Sequence, residues 1–147
     1  MYEAHPGARP LLVELDFQVQ TYDIDFAQHV NNCVYIRWIE DLRLEMLRRY
    51  YPLERVVADG TAGIVHSTHI VYKRSIQILD KPRGIMWCPK VGKATMTIEA
   101  EIRVGSVLCA HATQRLINLR RGGAKPVRWP DDLAETWRRM NGEAAGD

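Results

Sequence analysis

A short polar stretch holds the residues of this sequence that are best suited to chemistry. Residues 21–43 read TYDIDFAQHVNNCVYIRWIEDLR and contribute a carboxylate at Asp25, an imidazole at His29 and amides at Asn31 and Asn32. An apolar pattern with helical spacing follows directly. Unpaired amides and the positive end of the dipole at a helix start favour developing negative charge. A carboxylate beside such a start suits acyl transfer, in which it activates water or attacks a carbonyl while the amides hold the oxyanion.

The same residue types also build ordinary turns. Aspartate and asparagine side chains hydrogen-bond to nearby backbone groups, and Asn31 or Asn32 is a suitable N-cap for the helix that follows. A lone histidine such as His29 is more often a structural residue than a catalyst. On motif grounds alone, a turn followed by a helix cap is the commoner interpretation of this stretch.

Hydrophobic periodicity predicts the two elements on either side of the polar stretch. Residues 12–21 alternate between apolar and polar side chains, which predicts a half-buried strand. Spacings of three and four then predict one long helix from Asn31 or Asn32 to about Tyr51, just before Pro52. At ~1.5 Å per residue this helix is roughly 30 Å long, enough to cross a small domain. Its apolar residues are Val34, Tyr35, Trp38, Ile39, Leu42, Met46, Leu47 and Tyr50.

The remainder of the chain predicts further strands and a final helix. Strand-like segments cover residues 64–79, 84–91, 93–104 and 107–119, with KPRG, VGK and VGS between them. Turns this short join antiparallel neighbours. The segment WPDDLAETWRRM predicts a last helix with acids in its first turn. This order predicts an α+β fold in which one five-stranded antiparallel sheet packs against a long helix.

Length, charge and hydropathy limit the possible classes of protein. We expect a single domain over residues 1–147, with the last seven residues, NGEAAGD, disordered. No apolar run approaches the ~20 residues of a membrane span, and the N-terminus lacks the features of a secretion signal. We therefore predict a cytoplasmic protein without a membrane partner. The formal net charge of +2 is too small to indicate nucleic-acid binding.

The cysteines and histidines do not indicate a metal site. Cys33, Cys88 and Cys109 are odd in number and lack a CxxC pair, so we predict free thiols that are buried or partly buried. His66 and His69 lie three residues apart on a predicted strand, where they would point to opposite faces. We predict neither a metal nor a cofactor.

The order of residues in the polar stretch resembles a known signature. YDIDFAQHVNNCVYIRWIED is similar in type and spacing to the D-x-D-x-x-x-H-V-N-N-x-x-Y signature of the hotdog-fold acyl thioesterases. These form the 4-hydroxybenzoyl-CoA thioesterase-like group, which includes plant and bacterial acyl-ACP thioesterases. A hotdog domain is a long helix wrapped by a curved antiparallel sheet, in agreement with the predicted order of elements. The resemblance implies this fold and the hydrolysis of an acyl thioester.

The resemblance also implies roles for individual residues. Asp25 would be the catalytic carboxylate, acting as a general base on water or as a nucleophile on the thioester carbonyl. His29 would orient the substrate or the water, and main-chain amides around Asn31 and Asn32 would polarise the thioester oxygen. The predicted catalytic residues are Asp25, His29 and Asn32, and the predicted substrate-binding residues are Asn31, Tyr35 and Tyr72.

The substrate and the oligomeric state follow only in outline. Acyl-ACP thioesterases tend to carry an asparagine two residues after the catalytic aspartate, where this chain has Ala27, so we favour acyl-CoA over acyl-ACP. The alternatives are an acyl-ACP thioesterase, a hotdog hydratase or dehydratase, and a non-catalytic acyl-CoA-binding protein. The resemblance implies a homodimer or homotetramer whose active sites use both chains. Candidates to meet the CoA phosphates are Lys73, Arg74, Arg120 and Arg121.

Overall fold

The computed structural model describes residues 2–142. In chain order, its elements are β1 (Tyr2–Glu3), β2 (Val13–Asp16), a 3-10 turn (Thr21–Asp23), α1 (Asn32–Tyr50), α2 (Leu53–Asp59), β3 (Thr61–Tyr72), β4 (Pro82–Val91), β5 (Thr95–Val104), β6 (Val107–Arg120) and α3 (Asp131–Met140).

The strands form a single antiparallel sheet with α1 against one face. The strand order is β1-β4-β5-β6-β3, and β2 also pairs with β4. The sheet therefore has six strands within residues 2–142, where the sequence predicted five. The additional strand is β1, whose two residues are too few to produce an alternating pattern. The predicted α+β arrangement of a long helix on an antiparallel sheet is confirmed.

Helix α1 begins and ends where the sequence indicates. Asn31 is its N-cap, because its Oδ1 accepts a hydrogen bond from Cys33 N at 2.9 Å. The helix ends at Tyr50, and Tyr51 N still bonds to Leu47 O at 2.8 Å. Its buried face consists of Val34, Tyr35, Trp38, Ile39, Leu42 and Met46.

Two predicted strands have the wrong bounds, and one short helix was not predicted. The first strand covers only Val13–Asp16, since the chain leaves the sheet after Phe17 and enters the 3-10 turn. The strand predicted over residues 64–79 corresponds to β3, which starts at Thr61 and ends at Tyr72. The residues from Lys73 to Lys81 form a loop. Helix α2 was not predicted, because seven residues are too few for a periodic signal.

A glycine lets α1 approach the sheet closely. A Cβ at Gly84 would lie 2.5 Å from Phe17 Cε2 and 2.8 Å from Leu42 Cδ1, both far inside van der Waals contact. The Phe17 ring stacks on Trp38, with ring centroids 5.1 Å apart. The absence of a side chain at Gly84 therefore sets the distance between α1 and β4.

Two tyrosine hydroxyls tie the ends of α1 to the ends of β3. At the N-terminal end of the helix, Tyr72 donates a hydrogen bond to Asn32 O at 3.2 Å. At the other end, the hydroxyls of Tyr51 and Thr61 lie 3.3 Å apart. Strand β3 therefore runs antiparallel to α1, and it forms one edge of the sheet.

The C-terminal segment is described only as far as Gly142. Asn141 is buried, and its Oδ1 accepts a hydrogen bond from His5 N at 2.8 Å, so the predicted disorder does not begin there. The rest of that prediction, for residues 143–147, lies outside the described residues.

Candidate active site

Asp25 and His29 close a tight loop between the 3-10 turn and α1. Ile24 and Val30 form an antiparallel bridge, and Asp25 N donates a hydrogen bond to His29 O at 3.1 Å. Residues 25–29, the Asp25 loop, project beyond this bridge. Gln28 has a φ of +71°, in the left-handed region that non-glycine residues seldom adopt. This conformation lets the chain reverse its direction within the loop. The backbone therefore sets Asp25 and His29 opposite each other across the base of the loop.

Asp25 is a half-buried residue, and one oxygen of its carboxylate is held by the loop. Its Oδ1 accepts a hydrogen bond from Ala27 N at 2.9 Å, which is an Asx turn. Within residues 2–142, no donor bonds to Oδ2. One oxygen is thus oriented by the loop, and the other is available to a water molecule or a substrate. Ala27 therefore contributes to the loop through its main-chain amide, which donates to Asp25.

The other aspartate of the stretch, Asp23, has a structural role. It is 1% exposed, and its Oδ1 accepts a hydrogen bond from Arg37 Nη2 at 2.7 Å. Its Oδ2 accepts from Gln20 N at 2.8 Å. The Asp23 hydrogen bond raises the pKa of the Arg37 guanidinium. This ion pair anchors the start of the Asp25 loop to α1, and sequence reasoning missed it because Arg37 lies outside the apolar stripe.

Most main-chain amides around the start of α1, which were predicted to polarise the thioester oxygen, are already hydrogen-bonded within the protein. Asn31 N bonds to Asp23 O at 2.9 Å, and Val34 N bonds to Asn31 O at 2.9 Å. Cys33 N is occupied by the Asn31 side chain. In the described part of the chain, Asn32 N alone among these four amides has no acceptor. The Asn31 side chain is a helix cap, and the free main-chain donor belongs to Asn32.

Two tyrosines line the inner side of this helix start. Tyr35 is 2% exposed and packs edge-on against Tyr72, with ring centroids 5.1 Å apart. Burial, with smaller contributions from Cys109 and Tyr72, raises the pKa of Tyr35 to about 12. Tyr72 is 40% exposed, and burial also raises its pKa. Tyr35 is a core residue here, whereas Tyr72 reaches the surface beside Asn32.

The remaining histidines and cysteines were considered in the sequence as possible metal ligands. Among the described residues, no three histidine, cysteine, aspartate or glutamate side chains could hold a metal ion. His66 lies at a β-bulge, where Val65 and Ser67 pair with consecutive residues of β6. All three cysteines are free; Cys33 is exposed, contrary to the prediction, while Cys88 and Cys109 are buried.

Comparison with known proteins identifies the family. Residues 19–136 match the family model described as the Thioesterase-like superfamily. The chain belongs to this superfamily. Membership supports thioester hydrolysis as the general activity. No curated protein matches the sequence.

Solved structures agree with the fold of the Thioesterase-like superfamily. A DHNA-CoA thioesterase from Staphylococcus aureus is similar with a TM-score of 0.81 at 18% identity, over 91% of this chain and 93% of that one. A thioesterase from Thermus thermophilus, complexed with coenzyme A and Zn, has a TM-score of 0.75 at 20% identity, over 90% of this chain and 96% of that one. The predicted hotdog fold is confirmed.

Within residues 2–142, no helix is both long enough and apolar enough to cross a lipid bilayer.

Proposed function

We propose that this protein is an acyl-CoA thioesterase with Asp25 as its catalytic carboxylate. The observation that carries the proposal is the asymmetry of this carboxylate. Ala27 N holds Oδ1, and no described residue donates to Oδ2. Seven residues later in the sequence, at the start of α1, the main-chain amide of Asn32 has no acceptor among residues 2–142. A base and an oxyanion donor are the two parts that thioester hydrolysis requires.

The reaction proceeds by addition and elimination. Asp25 takes a proton from water as the water oxygen bonds to the thioester carbon, and the carbonyl oxygen becomes an oxyanion that accepts from Asn32 N. When the oxyanion collapses, the C–S bond breaks. The thiolate of CoA leaves and is protonated, which returns Asp25 to its ionised state. His29, across the loop base, orients the water or the substrate, and nucleophilic attack by Asp25 is the alternative first step.

Coenzyme A is the favoured thiol carrier. Ala27 stands where acyl-ACP thioesterases tend to have asparagine, and the exposed side chains of Lys73 and Arg74 follow directly after Tyr72. Cationic side chains beside the site suit the phosphates of CoA. The related Thermus thermophilus thioesterase was solved with coenzyme A. The cytoplasmic location remains a prediction from the sequence.

The active form is a homodimer joined through β3. Within residues 2–142, this twelve-residue strand pairs only with β6, on one of its two sides, and a long open edge recruits another strand. It also exposes apolar side chains: Ile64, Val71 and Tyr72 are 47%, 41% and 40% exposed. Pairing of β3 with β3 of a second copy would satisfy the edge and cover this surface. Two such dimers could then associate into a tetramer.

The test is release of free thiol from short, medium, long and aromatic acyl-CoAs. The native protein is compared with Asp25→Asn and with Asp41→Asn, a matched loss of one exposed carboxylate on α1. We expect hydrolysis of at least one acyl-CoA, lost in Asp25→Asn and kept in Asp41→Asn. If Asp25→Asn retains native activity, Asp25 is not the catalytic group. If no acyl-CoA is cleaved, acyl-ACP hydrolysis, hydration of the acyl chain or acyl-CoA binding replaces the proposal.

A further inference from the structure

An apolar cavity lies at the C-terminal end of α1, opposite the Asp25 loop. Its volume is about 280 Å³, and its walls are the C-terminal half of α1, α2, α3 and the inner faces of β3, β5 and β6. An apolar cavity of ~150 Å³ holds a benzene ring, so this one has room for an apolar group of about two fused rings. Residues lining the cavity include Met46, Tyr51, Met96, Leu116, Trp129 and Leu133.

Helix α2 separates this cavity from solvent. Leu53, Val56 and Val57 all line the cavity. Leu53 and Val57 are also 49% and 57% exposed, so these side chains lie between the cavity and the water outside. Of the seven residues of α2, all of which the structure describes, Val56 alone is buried. Movement of α2 away from the core would therefore uncover the cavity and would withdraw only one buried side chain.

One ion pair closes α2 onto α3. The Arg55 guanidinium donates two hydrogen bonds to the Asp132 carboxylate, one of them from Nη2 to Oδ1 at 2.6 Å. The same guanidinium lies over the Tyr51 ring, 5.3 Å from its centroid. Both members of the pair are exposed to water, and exposed ion pairs stabilise a protein only slightly. The contact is therefore strong enough to favour one position of α2 and weak enough to break often.

The two ends of α2 allow the helix to move relative to the core. Gly60, at the C-terminal end, has a φ of +67°, and among the described residues a Cβ there would meet only Arg120 Nη1, at 3.8 Å. Its neighbour Asp59 accepts a hydrogen bond from the Tyr51 hydroxyl at 2.7 Å, which holds this end in place. At the other end, the N-cap Pro52 makes no side-chain hydrogen bond to the helix. Because residues at the ends of an element absorb the backbone rotations of a hinge, Pro52 and Gly60 are the pivots.

We propose that α2 is a lid on the apolar cavity and that the Arg55–Asp132 ion pair is the latch that holds it closed. In the closed position, Val56 seals the cavity. In the open position the latch is broken, and an apolar molecule of about two fused rings enters or leaves. Entry and exit both require opening, so the lid sets both rates. The inference concerns access to the cavity for any such molecule and does not rest on the thioesterase function.

The probe for access is anilinonaphthalene sulfonate, whose fluorescence rises in apolar surroundings and whose two fused rings match the cavity in size. Stopped-flow mixing gives its rate constants of association and dissociation. A Cβ at Gly63 would lie 3.8 Å from Trp129 and 3.9 Å from Leu116, so Gly63→Leu fills the cavity and assigns the signal to it. Leu47→Trp fills the cavity from α1 if Gly63→Leu does not fold. A signal that survives filling would show that the probe does not enter the cavity and would overturn the proposal.

Removal of the latch is the first test. Arg55→Met keeps an apolar stem and removes the positive charge, while Asp132→Asn removes the negative charge and leaves Arg55 over Tyr51. In both variants we expect the association and dissociation rate constants to rise together, about two- to fivefold, with the Kd unchanged. Arg48→Met, which breaks an exposed ion pair with Glu45 on α1, should alter neither rate constant. Unchanged rate constants in the latch variants, or a change in dissociation alone, would overturn the proposal.

A cross-link between α2 and α3 is the decisive test. Arg55→Cys and Asp132→Cys are combined with Cys33→Ser, because Cys33 is exposed whereas Cys88 and Cys109 are buried. A short bis-maleimide then joins the two introduced thiols. We expect both rate constants to fall by about tenfold or more, whereas the same variant capped with N-ethylmaleimide, in which α2 stays free, should match Arg55→Met. Native rate constants in the cross-linked protein would overturn the proposal.

Thiol trapping measures opening of the lid without a ligand. Val56→Cys, in the Cys33→Ser background, places a thiol where α2 faces the cavity, and a polar disulfide reagent reaches it only when α2 is open. We expect this thiol to react more slowly than that of Ala58→Cys, at an exposed position of α2. Arg55→Met should speed the reaction at Val56→Cys about two- to fivefold. Equal reactivity of the two thiols, or a rate at Val56→Cys that Arg55→Met leaves unchanged, would overturn the proposal.

Discussion

The two ends of α1 are built in different ways. The N-terminal end is polar and is assembled from residues close in sequence: Asp25 bonds to His29 and Ala27, and Asp23 pairs with Arg37 one turn into the helix. The C-terminal end is apolar and is assembled from five other elements that surround the cavity. A tyrosine fastens each end to β3. The geometry of the Asp25 loop therefore depends on contacts between near neighbours, whereas the shape of the cavity depends on the whole fold.

The largest difference between the ends is expected for Asp25→Asn. Loss of the base should lower kcat for acyl-CoA hydrolysis by about 10²–10⁴-fold, because amide nitrogen and oxygen cannot accept the proton of water. The affinity for acyl-CoA should stay within a few-fold of the native value. Thiol-release assays measure kcat, and calorimetric titration measures the affinity on the same sample. A parallel loss of affinity would show that Asp25 acts in binding rather than in the chemical step.

The polar end should also control stability at alkaline pH through Tyr35. Its folded pKa of about 12 lies above its ordinary value of 10, so its stabilising contribution is complete below pH 10 and is lost as the pH rises towards 12. The shift corresponds to roughly 2–3 kcal/mol of unfolding free energy. Urea unfolding of the native protein and Tyr35→Phe between pH 8 and pH 12 measures it. Tyr35→Phe should lose less stability over this interval; identical pH dependences would contradict the prediction.

A third prediction concerns the ion pair that anchors the Asp25 loop. Arg37→Met leaves the buried Asp23 with its backbone donor but without its charged partner. We expect the unfolding free energy to fall by about 1–3 kcal/mol. The value is not larger because the Arg37 side chain is half exposed, and water screens its charge. The loosened loop should also reduce kcat. Arg48→Met, at an exposed position of the same helix, is the control. Unchanged kcat in a destabilised Arg37→Met would limit the ion pair to stability.

The smallest effect is expected at the apolar end. Asn118→Leu removes the hydrogen bond that Nδ2 donates to Val127 O at 3.2 Å, and it also removes the buried Oδ1, which has no partner within residues 2–142. These two changes oppose each other, so the free energy of unfolding should change by about 1 kcal/mol or less. Urea unfolding of Asn118→Leu and the native protein measures this change. A loss of several kcal/mol would contradict the prediction.

Much of the site and fold follows from contacts between near neighbours in sequence. The N-cap at Asn31 and the end of α1 before Pro52 are decided within a few residues, so periodicity and capping rules find them. Long segments in which apolar and polar residues alternate, such as β5, bury their apolar face whichever strands they pair with. The sequence pattern therefore predicts these strands correctly. Short elements such as β1 and α2 carry no such pattern and exist because a partner stabilises them.

The sequence by itself predicted the α+β order of elements and the start of α1, and its resemblance to a family signature predicted the hotdog fold; Asp25, His29 and Asn32 as catalytic residues remain a prediction. Only the tertiary structure decided that Asn31 N is occupied by Asp23, that Arg37 holds Asp23, and that an apolar cavity lies at the far end of α1. The physical reason is the range of the interactions. Turns, caps and periodic faces depend on backbone groups a few residues apart, whereas an ion pair across elements or a cavity depends on the packing of segments that are distant in sequence.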